Sequence, residues 1–321
     1  MAGRPDYIYT DGSPLQHTPM HLAASDMHGF FIRGELENLQ ATLDATLNRV
    51  AGRSRFKALL PHVMVTFTRA CHAQSGFPAD FNRGWGIETD IITWIVTGEV
   101  GETGGLSHLL FYPYFIWVDV PTAISIGREV FGYPKNMCRC VLPNVGEDPV
   151  RFELAAEGWH PFSPQTQLAV HPILEVTATV MGSHRSGFGL IDLQRAILDF
   201  LRAEGVLLAL GDLIIRDFES LLLRPHIDQI FLKQFPDSSG VKAVYQAVVV
   251  APAAIDNVHS VHLFGHTYEC NLHAFDSFPL DRALGFRVGV QPACLPFHIN
   301  FDFTVVAGEE LVVSTSPAAQ P

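Results

Sequence analysis

The chain has 321 residues, 48% hydrophobic and 17% charged, which is ample material for one large core or two smaller ones. Its formal net charge of −12 is offset by no basic block, which argues against nucleic acid as a partner, since phosphate backbones are held by clustered lysine and arginine. The longest apolar stretch, near Leu109 to Val120, is shorter than the ~20 residues a membrane-spanning helix needs.

Taken in chain order, the start, MAGRPDYIYTDGSP, has no apolar core of a signal peptide, and residues 1–28 read as an N-terminal extension. Residues 36–48 place Leu36, Leu39, Leu43 and Leu47 on one face and predict a helix. The basic stretch after it, Arg49, Arg53, Arg55 and Lys57, reads as a solvated loop. From Val63 the texture turns to strands: VMVTFT, IETDIITWIV, LLFYPYFIWVDV and, later, AVYQAVVV and FHINFDFTVV are rich in β-branched and aromatic residues. Gly- and Pro-containing breaks at 76–78, 101–105 and 143–149 separate them.

The glycine-rich stretch MGSHRSGFG, 181–189, reads as a loop and a candidate lid. LIDLQRAILDFLRAEG then predicts an amphipathic helix with Gly205 at its C-terminal cap, and Val206 to Leu223 is too apolar to be exposed. Residues 29–315 are thus expected to form one domain with a helical insert around 183–222, followed by a flexible tail at 316–321. Many strands with few helices predict a mainly β (α+β) fold, a curled or closed antiparallel barrel or sandwich with helices packed outside.

Chemistry concentrates in GREVFGYPKNMCRC, residues 127–140. Gly132 and Pro134 fix the backbone before Lys135, and apolar segments flank it. A lysine held out of water loses pKa toward a reactive neutral amine. Gly-Arg-Glu followed by Gly-Tyr-Pro-Lys resembles the active-site segment of acetoacetate decarboxylases. The downstream stretch from LLRPHIDQIFLKQFP to HSVHLFG resembles that family's C-terminal half, and the likeness runs from about Gly29 to Val313.

The resemblance implies that Lys135 is a Schiff-base nucleophile and that Glu88, in Trp-Gly-Ile-Glu, is the acid/base, with Asp90 on the same strand face. Arg128, Glu129, Tyr133, Asn136 and Thr68 are the further candidates for the pocket. Three positions depart from the family: Asn136 stands where a second lysine follows the nucleophile, Thr66 or Thr68 replaces a glutamate, and Ser25 aligns near an arginine. Without the neighbouring lysine, burial or a more distant cation such as Arg128 or Arg139 would have to activate Lys135.

The expected activity is that of a carbon–carbon lyase acting on a keto acid through Lys135, by decarboxylation of a β-keto acid. The alternatives are an aldolase-dehydratase or cyclase/isomerase of secondary metabolism, or a barrel that binds its ligand non-covalently. No cofactor and no metal is expected. Among the 15 histidines, His259, His262 and His266 form the best cluster, but alternate strand positions point apart. His298 reads as a satisfied core histidine, and Cys138 and Cys140 as packing. Five cysteines form no disulfide framework and suit a reducing compartment, so a cytoplasmic protein is expected. A small-molecule keto substrate and a second copy of the chain are the expected partners, with no nucleic acid and no membrane.

Overall fold

The computed structural model describes residues 6–101, 105–187, 189–205, 218–219, 221–224 and 226–313. Most of the apolar stretch 206–223 and the tail at 316–321 lie outside the described residues. The long strands are β1 (Met20–Arg33), β2 (Phe56–Ser75), β3 (Gly86–Val100) and β4 (Leu106–Val118). Then come β5 (Lys135–Met137), β6 (Arg139–Val141), β7 (Arg151–Gly158), β8 (Ala169–Val180) and β9 (Arg185–Ser186). The C-terminal half adds β10 (His226–Pro236), β11 (Ala243–Leu263), β12 (Thr267–Leu272), β13 (Gly289–Val305) and β14 (Glu309–Val313). They form a 14-stranded sheet in the order β14-β11-β10-β4-β3-β2-β1-β13-β12-β8-β7-β6, with β5 added beside β4 and β9 beside β11.

A further pairing of β11 with β13 closes the run from β11 through β10, β4, β3, β2 and β1 to β13 into a ring. All neighbours in this ring are antiparallel except β10 with β4, which are parallel. The mainly β, closed-barrel fold expected from the strand-rich sequence is therefore present, with β12, β8, β7 and β6 continuing as a lateral sheet. Strand β1 starts at Met20, so residues 20–28, read from sequence as part of an extension, lie within the barrel wall. Their alternation of apolar and polar residues satisfies both faces of that wall, which the polar look of the segment concealed.

Helix α1 (Leu36–Ala45) is separated from α2 (Leu47–Ala51) at Thr46, so the single helix expected over 36–48 is broken. Thr46 leaves helical geometry, with φ −118° and ψ −90°, and its hydroxyl donates to the Thr42 carbonyl at 2.6 Å. Helix α4 (Leu190–Ala203), which follows α3 (Pro121–Ile126) and is the longest helix among the described residues, ends as expected before Gly205, which has φ +68°. Its apolar face closes one end of the barrel, with Leu193, Leu198 and Leu201 buried against wall residues.

Each wall strand has two apolar faces. On the outer face Phe30, Phe67, Ile91 and Ile95 pack against Phe152, Leu154, Ile173 and Val176 of the lateral sheet. On β1 the parity changes at a bulge between Leu22 and Ser25, where Ala24 adopts φ +48°. A matching irregularity lies on β2 between Ala70 and Ala73, so the two strands change face together. Leu22 and Met27, five residues apart, consequently point to the same interior.

Phe152 is fully buried and its ring meets those of Phe30, Phe67 and His28 at 5.2, 5.0 and 5.1 Å. It is the apolar key that holds the lateral sheet on the barrel. Phe152→Ala is expected to cost about 3–5 kcal/mol, read as a lowered urea midpoint at unchanged m-value.

Candidate active site

The barrel interior holds a cavity of about 140 Å³, and every strand of the closed ring contributes to its lining. Most of that lining is apolar, including Met20, Leu22, Met64, Ile92, Phe111 and Phe303. Lys135, Glu88, Asp90, Thr68, Tyr133 and Gln229 supply the polar groups.

Local sequence explains how Lys135 arrives there. After α3, residues Gly127–Phe131 form a single π turn closed by Gly132, whose amide bonds the Gly127 carbonyl at 2.9 Å. Gly132 has φ +102°, and a Cβ there would sit 2.6 Å from Lys233 Cβ, so the turn admits only glycine. Pro134 then leads into β5, which pairs in parallel with β4 so that Lys135 lies opposite Ile116, another cavity residue. The lysine stem passes over Gly127, where a Cβ would come within 2.6 Å of Lys135 Cδ.

On β3, Glu88 and Asp90 share the inward face, as the spacing of two predicted. Lys135 Nζ donates to Glu88 Oε1 at 3.4 Å and lies 3.0 Å from Asp90 Oδ1. The sequence favoured Glu88; the structure brings both carboxylates to the amine, Asp90 the nearer. Thr68 Oγ1, opposite Asp90 across β2 and β3, has no hydrogen-bond partner. An unsatisfied buried hydroxyl beside an ammonium marks a position for a polar ligand group.

The charge state differs from the one expected. Burial pushes Lys135 toward the neutral amine, but the charges and hydrogen bonds of Asp90 and Glu88 outweigh it and hold its pKa well above the ordinary lysine value. At rest the side chain is an ammonium. Burial is also the largest influence on Asp90, whose pKa is pushed up to about 7, with Lys135 opposing and Glu88 adding to the rise. Tyr133 is raised by burial and then by these two carboxylates; it donates to Gln229 Oε1 at 2.6 Å and lies with its ring 5.8 Å from Lys135 Nζ.

Arg128, Glu129 and Asn136 do not line the cavity. Arg128 and Glu129 are exposed on the π turn, and Arg128 Nη1 donates to the Lys135 carbonyl at 3.1 Å, supporting the backbone rather than the amine. Asn136 alternates to the other strand face and bonds the Pro134 carbonyl at 2.9 Å. Arg139 is exposed, so neither arginine acts as the distant cation that sequence alone proposed. Gln229 was missed; its signal was a polar residue two positions from Ile227 on the inward face of β10. The glycine-rich stretch is no lid: its described residues do not line this cavity, and β9 pairs with the end of β11. The Gly189 amide donates to Asp192 Oδ2 at 3.0 Å, so the helix provides its own anion.

Two groups of side chains have metal-ligand proximity: Asp26, His28 and His298, and Asp148, His184 and His266. In the second, the Gly182 amide donates to His266 Nδ1 at 2.9 Å, which leaves the proton on Nε2, 2.8 Å from Asp148 Oδ1. That ring is fully used. His259, His262 and His266, set aside from sequence because alternate positions point apart, form no such group among the described residues; His259 pairs with Asp302 at 2.9 Å. His298 is partly buried rather than in the core, 2.5 Å from Asp26 Oδ1. Cys138 and Cys140 are free thiols, the first buried and the second partly so.

Sequence comparison with family models and with curated proteins finds no match. Solved structures do match. The acetoacetate decarboxylase of Legionella pneumophila subsp. pneumophila str. Philadelphia 1 is 13% identical, with 98% of this chain and 94% of that chain covered and a TM-score of 0.60. An acetoacetate decarboxylase-like enzyme from Sphingomonas wittichii RW1 is 13% identical over 97% and 100%, with a TM-score of 0.59. The enduracididine biosynthesis enzyme MppR complexed with pyruvate is 15% identical over 94% and 93%, with a TM-score of 0.53. The chain therefore has the acetoacetate decarboxylase fold.

The raised Asp90 pKa has a consequence for stability. Between pH 3.8 and about 7 the folded chain keeps a proton on Asp90 that the unfolded chain has released, so stability falls as pH rises through this window. Lys135 contributes no slope there, because its contribution persists until strongly alkaline pH. Asp90→Asn is expected to flatten the slope, measured by urea unfolding at the two ends of the window.

Proposed function

We propose that the chain is a divergent acetoacetate decarboxylase-like lyase that forms a Schiff base between Lys135 and a keto acid carrying an apolar substituent, and that it decarboxylates a β-keto acid. One observation carries the reading: a lysine amine inside an apolar barrel, within 3.0 and 3.4 Å of two carboxylates. A structural surface lysine has no need of such a setting.

The chemistry follows from the proton inventory. Asp90, ionised above about pH 7, accepts the proton that makes the ammonium a nucleophile. The amine adds to the substrate carbonyl, Asp90 passes the proton it took through Glu88 to the departing hydroxyl, and water leaves a protonated imine. The bond to the substrate carboxylate then breaks, its electron pair moves into the imine, and CO2 and an enamine result. A carboxylate of the pair takes up a proton from solvent and delivers it to carbon, and water hydrolyses the imine to release the ketone and the lysine. That MppR of the same fold is complexed with pyruvate supports a keto-acid ligand for this lysine.

Cavity size argues for more than a minimal substrate. About 150 Å³ accommodates a benzene-sized molecule, so a four-carbon keto acid would nearly fill the first chamber of about 140 Å³. A second chamber of about 110 Å³ adjoins it toward α4 and shares Met27, Met64, Phe111, Ile227, Ile255 and Phe301 as walls. Methionine side chains adapt readily to a ligand, so an apolar tail can extend from Lys135 past Met27 and Met64. Aldol addition and dehydration is the second reading. It is favoured by the lack of an arginine among the described residues of the first chamber, where a decarboxylase would hold the substrate carboxylate.

Borohydride reduction with a series of 3-oxo acids and methyl ketones tests the proposal. The expected result is a mass adduct on Lys135, more efficient with medium alkyl chains than with acetoacetate, and absent in Lys135→Ala. Glu88→Gln is expected to slow CO2 release about 10²–10⁴-fold. Adducts without CO2 release transfer the assignment to aldol chemistry. No adduct with any carbonyl compound, together with tight ligand binding by Lys135→Ala, makes this a non-covalent binding barrel.

A further inference from the structure

We infer that Asp26, His28 and His298 form a binding site for one divalent transition-metal ion on the outer face of the barrel wall, across β1 and β13 from the Lys135 cavity. The strands are antiparallel, with Asp26 opposite Asn300 and His28 opposite His298. Asp26 and His28, two apart, share one strand face, and cross-strand neighbours share it too. The three side chains thereby converge, with one ligand atom from each lying within 4.8 Å of the others. Met27, between them in sequence, points the opposite way into the substrate cavity.

An independent observation asks for a ligand here. His28 is only 6% exposed, and its Nδ1 has no hydrogen-bond partner. His298 Nε2 and Asp26 Oδ1 satisfy each other at 2.5 Å, and Asn300 adds a longer donor at 3.5 Å, but His28 is left out of this network. A buried imidazole without a partner is rare and points to an ion or water.

The donor set selects the ion. Two imidazoles and one carboxylate suit zinc, cobalt, nickel or iron rather than magnesium or calcium, and such three-residue sets leave a coordination position open. The rings of Phe152 and Phe264, 5.1 and 5.8 Å from His28, give the site an apolar shell. Arg69, the cation on β2 opposite Asp26, opposes a dication, but its charge is the weakest of the influences felt at His28.

A route to the site is present as well. His262 lies opposite His298 on β11, with its ring 5.4 Å away, and senses the charge of His184 further out. His184 in turn sits 4.4 Å, ring to ring, from His266 beside the half-exposed Asp148. Histidines thus run from the surface to the buried triad, and His262 is placed to fill the open position after a rotamer change. Binding would displace the proton shared by His298 and Asp26, so uptake releases protons to solvent.

Cobalt(II) titration of the full metal-free chain, followed through the visible d–d bands and by equilibrium dialysis, tests the assignment. One equivalent is expected to bind with bands of a low-coordinate nitrogen–oxygen site, displaced by zinc. His28→Gln should weaken binding by more than the roughly tenfold that loss of a supporting hydrogen bond costs. His298→Gln gives the same readout where circular dichroism shows that His28→Gln does not fold. No stoichiometric uptake of cobalt, zinc or nickel by the wild-type chain overturns the inference. Uptake that survives both substitutions but is lost in Asp148→Asn also overturns it, since the ion would then occupy the outer cluster.

Discussion

The arrangement that the rest of this structure serves is one ammonium held between two carboxylates in an apolar interior. Left unpaired, any of these charges would be expelled to water or neutralised. Together they persist because Lys135, Glu88 and Asp90 sit within contact distance inside a closed wall of strands. Each partner sets the other's state: the carboxylates keep the lysine protonated, and burial, with Glu88 adding and Lys135 opposing, leaves Asp90 titrating at about 7. A resting ion pair is compatible with nucleophilic chemistry, because the proton that must leave the amine already faces its acceptor.

The barrel supplies this geometry through unremarkable means. Antiparallel β3 carries both acids on one face, and the short β5 lays the lysine beside β4, next to β3. The π turn and its two glycines make the last adjustment, since β5 must come close to the wall while its lysine stem lies flat across Gly127. Tyr133 and Gln229 tie that turn to β10 on the parallel side of the ring. With Lys233 Nζ donating to the Val130 carbonyl at 2.6 Å, two hydrogen bonds link the loop bearing the nucleophile to β10, two strands from the acids.

Much of this was legible in the sequence. Period-two patterns and strand-rich composition gave the fold class, and the Gly-Tyr-Pro-Lys context singled out Lys135. The spacing of Glu88 and Asp90 gave their shared face. What could not be read was which residues of a short motif face inward. Arg128, Glu129 and Asn136 sit close to Lys135 in sequence, but a π turn and strand alternation direct them elsewhere. Nor could the charge state be read, because it depends on acids about fifty residues upstream reaching the same point as the amine. The pairing of Asp26 and His28 with His298 escaped for the same reason: a contact spanning most of the chain leaves only a faint local trace, an Asp-x-His on a strand.

The paired bulges on β1 and β2 matter beyond the change of face they produce. Every residue of β1 after Ala24 has its destination set by one extra residue upstream. Upstream of it, even-numbered side chains such as Leu22 look into the substrate chamber; beyond it, odd-numbered ones do, while Asp26 and His28 face the lateral sheet. A single-residue deletion there would exchange the two audiences of the strand, sending acid and imidazole into the chamber and Met27 into the outer core. For a lineage of such proteins, this makes the length of one short stretch a switch between chemistries. A substitution on β1 changes one side chain, whereas an insertion or deletion rewires two sites at once.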